Sequence, residues 1–591
     1  GARRPEGVPE TKFGKVGARF NGAYTKTADE RAHSEGSINY MQINLEWRPY
    51  DGTQVQFLYE DAYREKPNGL GYFTRGDGLG NGASIPLQIV HPEIPWTWNW
   101  ADGRNMRSLA TELYRGTLIQ RVTDNFSVIA YVQYSSREQR DGQGWDANGS
   151  GGGDSWEAGG GWITEINGQD VTGTPFEHIR KGYSYRDWSN NMHAYGATGV
   201  YKFNFGEVKN TFTFGGAAWA EKFVSRSSTQ PQDETQQVLI YPVRAGINTS
   251  TTPFAPPSDL RPQTTGNGWT RENNSNDYYY VAWTMSALDN RLKVNAAINR
   301  TNLKLVQWAN GEATDFNLTE QEEDSPMIGG MFDITKEISV FAVHATSLFP
   351  TTDKNSFGTQ MPPVTGSSME AGIKMELMNG KISGTVSYYS IKQEGGAMND
   401  PTAENLDTQR WDSMTPEQRS VAFPGQTRSD LLGDLVPNPD EAKSDGFEVD
   451  LILQPTPNWQ VLFSYASLDK DTFTSGLIKD QFATLTKYSF TEGRLHGLWL
   501  GLGYQHAGKA VQDQINGVTR YNPATDYAEA FAGYRWKIGD YNARVQLNLN
   551  NLTRQYEFVG WQPTGSASVV ATRRYEVSTP MVYQFTFGLD F

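Results

Sequence analysis

Three indoles at alternate positions, Trp96, Trp98 and Trp100, follow His91, Pro92 and Glu93 in a segment without a strand pattern. Flat rings at that spacing make a stacking platform for a planar or ring-bearing small-molecule ligand. The same rings also suit an anchor at the lipid headgroup level. Trp145 and Trp156 interrupt a glycine-rich run from Gly142 to Gly161. The run lacks the strand-then-helix frame of a phosphate-binding loop, so it reads as a flexible outer loop whose indoles join the candidate ligand surface. Asp430, Asp434, Asp440, Glu441 and Asp445 gather carboxylates without the spacing of a calcium-binding loop, which makes them a solvated charged face. The seven histidines, His33, His91, His178, His193, His344, His496 and His506, show no i,i+4 pair and no zinc spacing. With no cysteine, thiolate ligands, thiol catalysis and disulfides are excluded. No nucleophile elbow or carboxylate pair stands out. The expectation is a non-enzyme with no metal site and no cofactor.

The elements that must carry these residues are strands. A strand crossing a membrane alternates lipid-facing and lumen-facing side chains. Met41, Ile43, Leu45 and Trp47 alternate with Gln42, Asn44, Glu46 and Arg48, and after the turn at Pro49–Gly52 come Val55, Phe57 and Tyr59 against Gln54, Gln56 and Glu60. Ile373, Met375 and Leu377 alternate with Lys374 and Glu376, and Asn379-Gly380 then turns the chain back, a strong hairpin signal. Met581, Tyr583, Phe585, Phe587, Leu589 and Phe591 share one face of the last segment. About twenty strands are expected, centred near residues 20, 43, 57, 115, 130, 197, 215, 281, 298, 330, 343, 373, 386, 449, 463, 485, 501, 530, 546 and 585. Short turns alternate with long segments at 63 to 108, 139 to 189, 227 to 274, 395 to 443 and 553 to 576, the layout of periplasmic turns and outer loops. Thr415-Pro416-Glu417-Gln418 reads as a helix start inside one outer loop. Glu46, Arg48, Lys374 and Glu376 fall in the lumen-facing phase, where they would tune permeation or dock a polar surface.

Composition agrees with a large barrel. The 591 residues include 60 Gly and 13% aromatics, are only 37% hydrophobic, and carry a net charge of -15; the mean hydropathy is -0.60. No run approaches the roughly 18 apolar residues of a transmembrane helix. Closed barrels are the strand-built way to cross hydrocarbon, which offers unpaired backbone groups no partner. The acidic balance argues against a nucleic-acid partner. A soluble all-β carbohydrate-binding or hydrolytic protein is the reading from another class, and the broad apolar outer faces argue against it.

The stretch Ser444-Asp445-Gly446-Phe447-Glu448-Val449 leading to Trp459 and Ser464-Tyr465-Ala466, then Gly493-Arg494-Leu495 to Leu502-Gly503-Tyr504, then Asn548-Leu549-Asn550-Asn551-Leu552 and Tyr556, resembles the C-terminal barrel of TonB-dependent siderophore receptors. The resemblance covers the last 250 residues or so closely and the rest in layout. It implies an all-β transmembrane antiparallel barrel of about 22 strands, of which this chain would supply about twenty as one domain, residues 1–591. The family's N-terminal plug and its first two strands are expected to be absent from this sequence, leaving an open sheet edge. The resemblance further implies a monomeric barrel in the cell outer membrane, surrounded by lipid and lipopolysaccharide. It would be inserted by the barrel assembly machinery through a terminal aromatic, here Phe591, and coupled to TonB-ExbB-ExbD through the plug. Its cargo would be a ferric siderophore; cobalamin, haem or an oligosaccharide are the alternative ligands, and a plugless porin or an outer-membrane barrel in an assembly is the alternative function.

Overall fold

The computed structural model describes residues 10–11, 14–28, 35–67, 72–75, 89–90, 106–146, 165–166, 169–170, 179–229, 238–240, 269–308, 316–351, 353–355, 359–399, 406–422, 428, 435–470, 477–515, 518–522, 524–553, 558–560, 574–577 and 581–590. Twenty long strands form one antiparallel sheet in which each strand pairs with the next long one. They are β1 Gly14–Thr27, β2 Gly36–Arg48, β3 Thr53–Pro67, β4 Met106–Arg121, β5 Phe126–Asp146, β6 Ile179–Phe205 and β7 Val208–Thr229. Then come β8 Trp269–Ala287, β9 Leu292–Trp308, β10 Phe316–Asp333, β11 Ile338–Phe349, β12 Val364–Leu377 and β13 Ile382–Gly395. The set ends with β14 Ala442–Thr456, β15 Trp459–Lys470, β16 Asp480–Ser489, β17 Leu498–Ala507, β18 Thr525–Ile538, β19 Tyr541–Asn550 and β20 Val582–Asp590. Every expected strand centre lies inside one of them.

The short turns all sit at one end of the sheet. At one of them Asn379 (φ 57°) and Gly380 (φ 81°) adopt the left-handed backbone that the Asn-Gly pair tolerates. The other end carries the long connections, and there the sequence-based boundaries need correcting. β5 and β6 run far into the segment expected to be a loop at 139 to 189, and β7 and β8 enter the one at 227 to 274 by a few residues. Gly142 and Gly144 belong to β5, opposite Tyr185 and Tyr183 of β6. These outer halves carry polar and charged residues on both faces, so the alternation that marks a membrane strand stops while backbone pairing continues. Among the described residues, β20 pairs only with β19, and β1 pairs with β2 and the short Glu10–Thr11 segment; no pairing joins β20 to β1.

Two girdles mark the outward face. The lower one includes Phe126, Tyr201, Phe203 and Phe212, with Phe203 and Phe212 stacked at 5.9 Å. At Gly199 a Cβ would meet the Phe214 ring at 2.8 Å and the Phe126 ring at 3.2 Å, so the missing side chain lets those rings meet. The upper one runs through Tyr59, Tyr114, Tyr134 and His193, whose successive ring centroids lie 4.9, 6.2 and 5.0 Å apart. Helices α1 Leu406–Ser413 and α2 Pro416–Ala422 lie in the connection between β13 and β14. The expected helix start is a capping box: the Gln418 N–H donates to Thr415 Oγ1 at 3.4 Å and the Thr415 N–H to Gln418 Oε1 at 2.9 Å.

Candidate ligand-binding lumen

Because outward and inward side chains alternate, the lumen wall follows from the strand register. On its outer half β5, β6 and β7 bring Arg137, Asn190 and Phe223 into one row. The Arg137 guanidinium lies 4.6 Å from the Trp188 ring, which packs against Phe223 at 6.0 Å. Beside them Glu272 of β8 accepts hydrogen bonds from Gln307 Nε2 at 3.0 Å and Asn274 Nδ2 at 3.3 Å. Two amide donors thus aim a carboxylate next to an exposed cation and two rings. Deeper in the same wall Arg115 lies over Tyr131 at 4.7 Å, Tyr278 and Tyr280 stack at 6.3 Å, and the Tyr280 and Thr198 hydroxyls are bonded at 2.6 Å. The arrangement offers π faces together with hydrogen-bond donors and acceptors, which suits a flat, polar-edged ligand.

The turn-side part of the lumen is cationic on β16 to β19. Lys487 and Arg535 lie 5.7 and 5.9 Å from the Trp499 ring, and Trp499 Nε1 donates to Gln546 Oε1 at 3.2 Å. Lys487, Arg535 and Arg544 border one hollow there.

Glu46 and Arg48 share one face of β2 and are ion-paired at 2.5 Å. Lys374 lies 5.2 Å from the Phe341 ring. Glu376 borders a hollow with Asp450 and Glu529. The β2 pair and the β12 pair stand ten strands apart, so they form no common cluster. Trp96, Trp98, Trp100, Trp156 and Phe591 lie outside the described residues, as do Asp430 and Asp434; Trp145 is opposite Gly182 in the β5–β6 ladder, with its side chain outside the description. Of the remaining acids, Glu441 pairs with Lys392 at 3.0 Å and Asp445 with Lys443 at 2.6 Å. The Lys392 ammonium beside Glu441 holds that carboxyl below its ordinary range. No group of three metal ligands occurs among the described residues.

Sequence reasoning missed Arg137, Trp188, Phe223 and Glu272. The signal was a pair of aromatic residues in the inward phase of β6 and β7, where an aqueous wall would ordinarily be polar.

A twenty-strand antiparallel sheet with an apolar outer band, two girdles and a polar interior has the make-up of a transmembrane β-barrel. The family described as TonB dependent receptor-like, beta-barrel matches residues 43–552. The chain belongs to that family. It is 24% identical over 271 residues to the metal-pseudopaline receptor CntO of Pseudomonas aeruginosa, covering 44% of this chain and 34% of the relative. It is 24% identical over 264 residues to the ferripyoverdine receptor of the same species, covering 41% of this chain and 29% of the relative. The chain thus spans about a third of the length of these curated relatives. Among solved structures, the ferric preacinetobactin receptor BauA of Acinetobacter baumannii superposes with a TM-score of 0.71 at 15% identity, over 98% of this chain and 75% of that one. The pyoverdine receptor FpvA of Pseudomonas aeruginosa gives 0.73 at 15% identity, over 99% and 75%.

Proposed function

We propose that this chain forms the barrel of an outer-membrane importer of a metal–siderophore complex, most specifically a ferric siderophore, driven by TonB. The family match across residues 43–552 carries the reading. The printed names of relatives, receptors for metal–pseudopaline and ferripyoverdine, support the cargo class. The outer lumen wall supports it chemically: Trp188 and Phe223 would stack on a planar chelating group, while Arg137 and the oriented Glu272 meet its charged and hydrogen-bonding edges.

In this reading the ligand is caught by outer segments bearing Trp96, Trp98, Trp100 and Trp156 and by Trp145 at the outer end of β5, and is held above a plug. TonB, energised with ExbB and ExbD, pulls on that plug to release the ligand inward. The plug and the strands that close the sheet between β1 and β20 would come from outside these 591 residues. Lys487, Arg535 and Arg544, together with Glu46, Arg48, Lys374 and Glu376, would face the plug, and Phe591 would address the chain to the barrel assembly machinery. The test is uptake of a radiolabelled ferric siderophore by cells carrying the natively encoded protein, with and without a proton-motive-force uncoupler. Uptake abolished by the uncoupler is expected. Uptake indifferent to it would leave a passive pore.

A further inference from the structure

The two neighbours of β10 are paired with it very differently. With β9 the ladder runs the whole way, from the Leu292–Phe332 pair to the Trp308–Phe316 pair. With β11 it has only seven pairs and ends at Met327–Ala345. Above that point β11 stays with β12 as far as the Phe349–Val364 pair, while residues 316–326 of β10 have no ladder partner on the β11 side among the described residues. The wall forks there. The break falls at Pro326, which brings no N–H to a ladder. The last link across is a side chain, Thr346 Oγ1 donating to Pro326 O at 3.4 Å.

The fork opens within the outer leaflet. From Ile338 at the turn to Ala345 the chain covers seven residues, about 23 Å of strand, which rises about 18 Å at a tilt of about 40°. The apolar band of such a wall is about 25 Å tall, so the two strands part below its upper edge. Outward side chains agree with that height. Ile328, 58% exposed, stands beside the last pairs, and in the same phase above it Asp324 and Glu322 take over, with Arg300 ion-paired to Glu322 at 2.6 Å.

The connection from β11 to β12 crosses the fork on the lumen side. In it residues 353–355 lie antiparallel to 359–361: the Asn355 N–H donates to Thr359 O at 3.0 Å and the Met361 N–H to Asp353 O at 2.9 Å. Gln360 moors this hairpin. Its Nε2 donates to the carbonyls of Thr351 at 2.8 Å and Asp353 at 3.0 Å, and its Oε1 accepts from Thr319 of β10 at 2.9 Å. Gln321 Nε2 of β10 reaches Thr351 O at 3.4 Å. Thr319 and Gln321 share the inward phase of β10, and no backbone bond joins β10 to the hairpin among the described residues. The hairpin is therefore a flap held by side chains. It also adjoins the polar cluster of the outer lumen. Thr319 is the register partner of Leu305, and Leu305 of Asn274, one of the two amides that orient Glu272. At about 4.8 Å per strand, Thr319 is about 10 Å from Asn274 along that row.

An opening that leads from an aqueous lumen into hydrocarbon, beside a polar ligand cluster, matches a molecule with both characters. We propose that the β10–β11 fork is a side port for the apolar chain of an amphiphilic cargo, a metal chelate carrying one alkyl chain. The chelating head sits on the Trp188–Glu272 wall, the chain passes between Pro326 and Leu348 into the outer leaflet, and the Gln360 hairpin is the flap that yields to it. Bound in this way the chain never leaves hydrocarbon for water. The inference rests on the siderophore reading and narrows its cargo.

The test is binding of a ferric trihydroxamate and a ferric tricatecholate, each with and without a dodecanoyl chain, to the natively encoded protein in lipid nanodiscs, with uptake by protein-free nanodiscs subtracted. Each variant is first checked for a folded barrel by its heat-modifiable migration on a gel. The acylated form of whichever chelate binds should bind at least tenfold tighter than its plain form. This chain has no cysteine of its own. Ser325→Cys with Ser347→Cys, the positions that the next inward pair of the ladder would occupy, should therefore stitch the fork when oxidised. Oxidation should remove the tenfold gain without changing the affinity of the plain chelate, and reduction should restore it. Ser347→Trp, which fills the port without a bridge, should lose the gain as well. A gain retained by either the oxidised pair or Ser347→Trp overturns the port. Plain chelates that bind with no gain on acylation also overturn the port and leave the siderophore reading standing. A folded barrel that binds none of the four chelates overturns the ferric siderophore reading and the port with it.

Discussion

Gly533 of β18 faces the lumen with no room for a side chain: a Cβ there would overlap Cζ2 and Cε2 of the Trp499 ring. The ring is laid across the glycine, the device that restores packing where a strand lacks a side chain. Gly533→Ala must push the ring outward by more than an ångström. That movement breaks the 3.2 Å bond from Trp499 Nε1 to Gln546 and takes the ring from under Lys487 and Arg535. Overpacking of this kind costs about 1–3 kcal/mol. The alanine recovers roughly 0.5–1 kcal/mol because glycine loses more backbone freedom on folding. A net destabilisation of about 1–2 kcal/mol is expected, read as a lower urea midpoint in lipid vesicles with an unchanged slope, together with a shift in tryptophan emission. Gly330→Ala is the comparison. There the nearest heavy atom to an added Cβ is Lys293 O at 3.8 Å, so the substitution should be neutral or slightly stabilising. Equal midpoints for the two variants would refute the account of Trp499 as a ring held by the absence of a side chain.

Trp188→Ala with Phe223→Ala should weaken ferric siderophore binding by about tenfold or more while leaving the urea midpoint within about 1 kcal/mol, since the rings line a water-filled wall; isothermal titration on the folded barrel measures it. Thr415→Ala removes the capping box and should cost the 416–422 helix about 1 kcal/mol, seen as faster amide exchange confined to that turn. Arg428 grips Asp412 through Nε and a terminal nitrogen at 2.9 and 2.8 Å and holds that carboxyl below its ordinary value. A depressed folded value means the contact contributes fully above the ordinary carboxylate range, about pH 4, and is lost as pH falls through the lower folded value. Exchange in 406–413, corrected for intrinsic rates, should therefore rise only in strong acid, and Arg428→Ala should abolish that dependence. The Lys304–Glu320 pair, with side chains 52% and 60% exposed, should show a coupling of only about 0–1 kcal/mol in a double-mutant cycle, vanishing in high salt.

The inward cluster of the outer lumen was hard to read because its members come from separate strands: Arg137, Trp188, Phe223 and Glu272 meet only once β5, β6, β7 and β8 are in register. The reading of the seven histidines as carrying no catalytic role left His506 unremarked, yet its Nδ1 lies 2.7 Å from Asp526, which also receives the Tyr504 hydroxyl at 2.5 Å. Tyr504 and His506 lie two residues apart on β17, and Asp526 joins them only across the β17–β18 ladder.

The sequence by itself determined the number and order of the membrane-crossing strands, the side of each strand that meets lipid, and the end of the sheet that carries the short turns. A period of two residues and local turn chemistry encode all three, and both are visible within a few positions. The tertiary structure alone decided how far β5 to β8 continue beyond the lipid, because paired backbone in water needs no alternation. It alone also placed Arg137, Trp188, Phe223 and Glu272 in one wall, because cross-strand neighbours are set by register between segments distant in the chain.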